Sequence, residues 1–351
     1  MNLTALLNNK GVFFHMAFDG ITIAAMVQEL NKNLSGGRFN KIAQPEADEL
    51  LITGKGPNGQ CRLLLSASAS LPLIYFTEKN KPSPLTAPNF CMLLRKHIGS
   101  ARIGSITQPG LERVVRFELE HLNELGDPCK KQLIMELMGK HSNLIFCDEN
   151  NMDSIKHVSS HMSSVREVLP GRPYFIPHTQ EKADPLTITE EEFCSTICQK
   201  PCSISKAIYT SLTGLSPVIA EEICFRASID GSDPAQSLNE TAATHLYHTF
   251  LRFMEQVKEG DFTPNIVYKG DEPVEYGVLP FTQYGSEYHA ETFDSVSSML
   301  ETYYASKNTL TRIRQKSADL RKIVQTALER NRKKLILQEK QMKDTAKKDK
   351  Y

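Results

Sequence analysis

Seven basic or basic-capable side chains stand where apolar stretches of this chain turn: Arg38, Lys41, Arg95, Lys96, Arg113, Lys140 and His141. Arg offers a planar fork of donors suited to a phosphate or a base edge, and Lys a mobile point charge. Taken singly, each reads equally well as a solvated surface cation. As a group they recur beside turns and helix ends and not along one exposed face, the pattern of a binding surface carried on rigid supports. Two other sets have residue types suited to metal. His157 and His161 are four apart, as are Cys194, Cys198 and Cys202, a spacing that places side chains on one face of a helix. Pro201 interrupts the cysteine series, and neither set has the C-x-x-C spacing of a structural zinc site. Satisfied histidines and semi-buried thiols are therefore expected, with no metal and no cofactor. There is no Gly-rich phosphate cradle followed by Lys-Ser/Thr and no G-x-S-x-G elbow. A nucleotidase or hydrolase would lack its phosphate cradle or its nucleophile.

The elements that must position these residues are legible from periodicity. Ile21 to Leu34 carries Ile23, Met26, Val27, Leu30 and Leu34 on one helical face, and Ser35-Gly36-Gly37 stops it. Short strands follow over Arg38–Ile42, Glu49–Thr53, Cys61–Ala67 and Leu73–Thr77, with Gly54 to Gly59 as a turn. Phe90 to Ile98 reads as an apolar helix ending in Arg95-Lys96-His97. Gly110 to Arg113 is a turn feeding a strand in which Val115, Phe117 and Leu119 alternate. The spacing places Arg113 at that strand's end, its backbone fixed and its side chain projecting into solvent. Strands over Gln132–Met138 and Asn143–Cys147 flank the polar Gly139–Ser142 turn. A proline-punctuated linker from Leu169 to Pro185 separates this α+β half from a helical one. In the second half, Thr189-Glu190-Glu191-Glu192 supplies an N-cap and an acidic first turn. Helices are predicted over Ser203–Leu212, Pro217–Ala227 and Asn239–Glu259, then a hairpin over Asn265–Tyr284. From Ser295 a last helix carries Ile313, Ser317, Leu320, Val324, Leu328, Asn331, Leu335, Gln338 and Met342 at alternating intervals of four and three, with one 4-4 step at Val324. That is a coiled-coil seam with a single phase shift.

The 351 residues, 40% apolar and 23% charged, suit two or three globular domains. The formal net charge is zero, but between Thr311 and Lys350 there are 14 Lys/Arg against 5 Asp/Glu, a net of +9. Met1 to Leu310 therefore carries −9. A polyanion meets the basic tail first. Eight cysteines without paired spacing, no secretory pattern in the first fifteen residues and no apolar run long enough to span a bilayer fit a reducing cytosol with free thiols.

Several stretches together resemble the NFACT family: Met16-Ala17-Phe18-Asp19-Gly20, Leu34-Ser35-Gly36-Gly37-Arg38, Lys41 to Pro45, Leu63 to Ala67, Phe90 to Ile98, Met138 to Asn143, and Val168-Leu169-Pro170-Gly171. The resemblance runs in order from Met16 to the C-terminus. The helices joined through Thr213-Gly214-Leu215-Ser216-Pro217 resemble the helix-two-turns-helix module of formamidopyrimidine-type DNA glycosylases, which this family shares. Those enzymes use an N-terminal Pro followed by Glu, and a zinc finger. This chain has Met16-Ala17-Phe18-Asp19 and no finger, so glycosylase chemistry is not expected.

What the resemblance implies is an α+β chain. An N-terminal extension (1–15) precedes a glycosylase-N-like mixed sheet domain (16–178), the helix-two-turns-helix module (179–262), a β-hairpin (263–290) and the start of a coiled-coil arm (291–351). The family carries an Asp-Arg pair that holds tRNA at its anticodon region. Position by position the pair falls on Glu112-Arg113, with the acid one methylene longer, and the family's early acidic residue falls on Asp19. The tRNA- or RNA-binding set is thus Asp19, Arg38, Arg95, Lys96, Glu112, Arg113, Lys140 and His141. The resemblance further implies a ribosome-associated quality control factor. It would bind the large ribosomal subunit obstructed by peptidyl-tRNA and recruit alanyl-tRNA for untemplated alanine tailing of the nascent chain. The bond-forming chemistry would be left to the ribosome. The alternative from a different class is a surface adhesin binding fibronectin. Whatever the function, metal analysis of the purified protein is expected to find no stoichiometric zinc. One zinc per chain, lost on replacing Cys194 or Cys198, would overturn that expectation.

Overall fold

The computed structural model describes residues 18–348 except 123, 124, 149, 150, 164 and 177–180, without the side chains of residues 151, 306–320, 323 and 343–348. The expected extension over 1–15 and the boundary at 178 lie outside the described residues. Helix α1 (Gly20–Leu34) begins at the N-cap Asp19 and buries Ile21, Ile23, Met26, Leu30 and Leu34. Gly36, at φ 77°, turns the chain out of it. Then come β1 (Arg38–Glu46), β2 (Glu49–Gly56), β3 (Gly59–Ser66), β4 (Leu73–Phe76) and α2 (Asn89–Ile98). After α2 follow β5 (Arg102–Thr107), β6 (Val114–Leu122), β7 (Pro128–Glu136), a 3-10 turn (Gly139–His141), β8 (Asn143–Asp148) and β9 (Asn151–Ser154). The strand expected over Cys61–Ala67 begins two residues earlier. The stretch expected as a turn over Gly54–Gly59 is mostly strand, because β2 and β3 stay paired up to Gly56↔Gly59.

These nine strands form one antiparallel sheet in the order β4-β3-β2-β1-β5-β6-β7-β8-β9. Its two lobes, β4 to β1 and β5 to β9, are joined among the described residues by a single registered pair, Arg38↔Arg102. Backbone bonds flank that pair, from the Phe39 amide to the Ala101 carbonyl (3.1 Å), the Ile103 amide to the Gly37 carbonyl (2.9 Å) and the Gly36 amide to the Ile103 carbonyl (2.8 Å), and side chains add further ties. Phe39 meets Phe117 with ring centroids 6.3 Å apart. The α2 helix straps both: Arg95 Nε donates to the Ile42 carbonyl in β1 (2.8 Å), and His97 lies against Phe146 of β8. The Lys156 ammonium donates to the carbonyls of Ala67 and Ser142, one from each lobe.

A satellite core of Val114, Ile134, Ile145, Met152 and Val168 lies on the β6–β9 face under Tyr174 and Ile176. The fully buried Glu136 accepts there from Arg166 and from the Tyr174 hydroxyl. Residues 155–163 are not helical, so His157 and His161 share no helix face; His157 Nε2 sits 2.9 Å from Asp153.

The second half holds α3 (Glu190–Cys198), α4 (Ile204–Ser211), α5 (Pro217–Arg226), a 3-10 turn (Ala235–Ser237) and α6 (Glu240–Glu259). The expected N-cap and acidic first turn are formed, and Thr189 and Glu192 close them into a capping box. Phe193, Tyr247 and Phe250 build an aromatic core between α3 and α6. A three-stranded sheet follows, β10 (Asn265–Lys269), β11 (Glu272–Gly277) and β12 (Tyr288–Thr292), in the order β11-β10-β12. The expected hairpin is there, but β12 is an additional strand whose residues are mostly exposed and whose alternation is therefore invisible in sequence. Last comes α7 (Val296–Lys348).

The chain divides into two compact units, Met1–Glu301 and Thr302–Tyr351. Within the first, the opening turn of α7 is tied down. Ser297 N–H donates to Glu29, Ser297 Oγ accepts from the Phe76 amide of β4, and Thr77 Oγ1 donates to Glu301. In the second, Val324, Leu328, Leu335 and Met342 of the expected seam are exposed along a continuous helix; Ile313, Ser317 and Leu320 fall where side chains are not described. Among the described residues no helix is long and apolar enough to cross a membrane.

Glu222 joins the helices to the segment after β11. Wholly buried on α5, it accepts from Arg226 Nε (2.6 Å), the Thr282 amide and hydroxyl, and the Gln283 amide. Removing one member of such a buried charged network typically costs about 3–5 kcal/mol, because the donors left behind are desolvated. Glu222→Ala is expected to lower unfolding free energy in urea by about that amount; a loss under about 1 kcal/mol would show that water reaches the site.

Candidate nucleic-acid interface

Asp19 is 6% exposed and caps α1: its Oδ1 accepts from the Thr22 amide (2.8 Å). Its Oδ2 accepts from Ser216 Oγ (2.7 Å), and that hydroxyl in turn caps α5 by accepting from the Ile219 amide. One carboxylate thus receives two helix N-termini, whose unpaired amides and dipoles favour negative charge. Burial raises the Asp19 pKa, while the hydrogen bonds from Thr22 and Ser216 work against that rise.

Close backbone contact locks the surroundings. The Gly20 amide donates to the Gly214 carbonyl (2.8 Å), and Gln108 Nε2 bridges the carbonyls of Gly20 (2.8 Å) and Glu112 (2.9 Å). A Cβ on Gly20 would overlap the Leu111 carbonyl and Gly214. One on Gly214, at φ 74°, would overlap Leu111 too. The loop carrying Glu112-Arg113 is therefore pressed against the start of α1 and the turn before α5.

Arg113 precedes β6, and its carbonyl accepts from the Leu137 amide (2.9 Å). Its side chain is half-buried, not projecting freely from the strand's end as the sequence predicts. Burial lowers its pKa, and the negative charges of Asp19 and Glu112 oppose that effect. A guanidinium remains charged at any physiological pH, so Arg113 is a preset cation flanked by two acids. Lys182 stands near the pair, with Nζ donating to the Tyr209 carbonyl (3.0 Å); sequence reading misses it because it sits in the linker. Lys140 and His141, both exposed, occupy the turn just beyond Leu137, at the same end of the sheet as Arg113.

The remaining expected residues stand elsewhere. Arg38 lies at the start of β1 with Nη1 donating to the Ser100 carbonyl (3.0 Å), and Arg95 holds the Ile42 carbonyl. Backbone carbonyls engage both guanidiniums, and both residues remain exposed. Lys41 and Lys96 are exposed. The nine candidate residues thus separate into a group around Asp19 and Arg113 and a group around β1 and α2.

The cavity beside Asp19 and Ser216 has a volume of about 20 Å³, near the size of one water. Burial raises the thiol pKa of Cys194 and of Cys198, both on α3. Among the described residues no group of three or more His, Cys, Asp and Glu side chains is placed to hold a metal ion.

The fold defines an α+β scaffold: a two-lobed antiparallel sheet locked to a helical module through one carboxylate, with an acid–arginine pair at the junction. Residues 19–351 match the model described as NFACT N-terminal and middle domains, and the chain belongs to the NFACT family. It is 35% identical over 330 residues to the Rqc2 homolog RqcH of Bacillus subtilis (strain 168), covering 93% of this chain and 55% of that protein. The chain thus spans about half the length of that relative. Among solved structures, it is similar to the fibrinogen binding protein from Staphylococcus aureus (TM-score 0.69, 29% identity, 82% of this chain and 99% of that one). It is also similar to the N-terminal part of the fibronectin/fibrinogen-binding protein from Streptococcus suis (TM-score 0.67, 30% identity, 82% and 99%).

The electrostatics of Asp19 generate a pH test. Its pKa in the fold is raised above the ordinary 3.8, so the folded chain holds this proton more tightly than the unfolded one. The associated stabilisation is complete below about pH 3.8 and is lost as pH rises through the folded value. Asn at this position can keep the Thr22 contact without a charge to desolvate. The stability of Asp19→Asn relative to wild type, from urea unfolding at pH 4 to 7, is therefore expected to increase with pH. A flat or falling difference would mean that the helix dipoles and Arg113 outweigh burial.

Proposed function

We propose that this chain is the tRNA- and ribosome-contacting N-terminal portion of a ribosome-associated quality control factor. It engages a large subunit obstructed by peptidyl-tRNA and admits alanyl-tRNA, so that alanine is added to the stalled chain without a template. The similarity to the Rqc2 homolog RqcH over nearly the whole of this chain, and to the mouse ribosome quality control complex subunit NEMF over 61% of it, carries the reading. The junction supports it chemically. Glu112 can accept from a base amino group while the Arg113 fork donates to a phosphate or base edge. Because both sit on backbone pinned by Gln108, Gly20, Gly214 and Leu137, they lose little freedom on gripping RNA. Lys140 extends positive potential along the same end of the sheet, His141 stands beside it, and Asp19 is the buried support. No bond-making residue is assigned to the chain itself.

A second reading rests on the names of the two solved relatives, which give fibrinogen or fibronectin as what those proteins bind. Fractionation separates the readings: a quality control factor travels with large ribosomal subunits, an adhesin with the cell envelope.

For the tRNA contact, Arg113→Ala is expected to weaken tRNA binding by about 1–3 kcal/mol. If the contact is to a phosphate, it should also reduce the salt slope of binding by about one. Arg113→Lys, which keeps the charge and loses the fork, should retain the slope and lose part of the affinity. Since Arg113 is half-buried, melting temperature is followed in parallel. Unchanged affinity and slope, or an affinity loss that merely tracks unfolding, would remove Arg113 from the site.

A further inference from the structure

We propose a second RNA-contact surface, a cationic row that crosses the sheet from Lys55 through Arg38 and Arg102 to Lys130, with Lys41 beside it, and follows a phosphodiester backbone. The row is made by register. Arg38 is directly opposite Lys55 on one side and Arg102 on the other; Arg102 is opposite Glu120, and Glu120 is opposite Lys130. All five side chains are exposed, as is Lys41. Their strand neighbours Phe39, Ile103 and Leu119 are buried, which fixes the row on the outward face. Five strands at about 4.8 Å spacing give a row about 19 Å long. It contains four cations and one acid, Glu120, which stands 3.5 Å from Arg102.

Two features set this row apart from an ordinary solvated face. Like charges directly opposite one another across strands are destabilising, yet Lys55, Arg38 and Arg102 are consecutive in register and span the registered pair that joins the two lobes. Any polar side chains would serve solubility there without that cost. Arg38 is also positioned in advance: its Nη1 donates to the carbonyl of Ser100, a non-glycine residue held at φ 65°, a conformation that costs free energy and persists only where the surroundings impose it. A line of cations carried on paired strands, interrupted once by Glu120, complements the phosphates of a nucleic-acid strand.

The surface deepens the RNA-binding reading and rests on it, while using none of the residues around Asp19. Glu120 lies six residues along β6 from Val114, about 20 Å from the Arg113 end.

The test uses the whole chain with Arg38, Lys55, Arg102 and Lys130 all replaced by Gln. Binding to a poly(U) oligonucleotide is measured against salt, with tRNA and phosphatidylserine vesicles as further arms. The expected result is at least tenfold weaker poly(U) binding. The log–log salt slope should shrink by about three, since each phosphate that is no longer neutralised removes roughly 0.7. Melting temperature should not fall, and Arg38→Lys with Arg102→Lys should keep the slope. An unchanged slope overturns the proposal; if Arg113→Ala still impairs tRNA binding in that case, the junction reading stands. Loss of vesicle binding with RNA binding intact assigns the row to membranes and overturns it as well. A wild-type chain that binds neither poly(U) nor tRNA at low salt removes both readings.

Discussion

A single buried carboxylate sets the relation between the sheet domain and the helical module. Asp19 caps α1 and, through Ser216, α5, so two helices from distant parts of the chain share one negative charge. Such a charge survives burial only because converging amides and a nearby guanidinium replace the water it has lost. The approach of the two helices is close enough that Gly20 and Gly214 must lack side chains, and the same closeness clamps the Leu111 carbonyl. The geometry of Glu112-Arg113 is therefore a by-product of helix capping.

The sheet needs comparable reinforcement. The join between the lobes is short, and α2 and Lys156 brace it through hydrogen bonds from side chains to backbone carbonyls. Cations in this domain thus serve in two capacities. Arg95 and Lys156 satisfy backbone acceptors where the lobes meet, whereas Lys41 and Lys140 are left to solvent.

Helix starts and turns are legible in the sequence because local chemistry decides them. The Thr189–Glu192 capping box, the stop after Leu34 and the Pro217 start all depend on residues within a few positions of one another. The early acid and the Glu112-Arg113 pair are visible through family resemblance, but their meeting is not, since it depends on Ser216 almost two hundred residues away. Arg113 reads as exposed because a charged residue beside a turn usually is; burial between Asp19 and Glu112 is a tertiary outcome. Arg38 is visible as a cation, but Lys55, Arg102 and Lys130 give no signal, because strand register alone lines them up. For the histidine pair the four-residue spacing is real but the helix is not, and Asp153 takes His157 instead.

The short β4 strand is one free edge of the nine-stranded sheet, and edges of this kind recruit other strands. Here the opening turn of α7 covers it, with Ser297 taking the Phe76 amide and Glu301 taking the Thr77 hydroxyl. The helix that continues past Glu301 therefore also acts at its root as an edge guard. A fragment cut before Ser297 would keep the whole sheet and still present an unpaired strand to its neighbours, leaving it more inclined to self-associate than the intact chain.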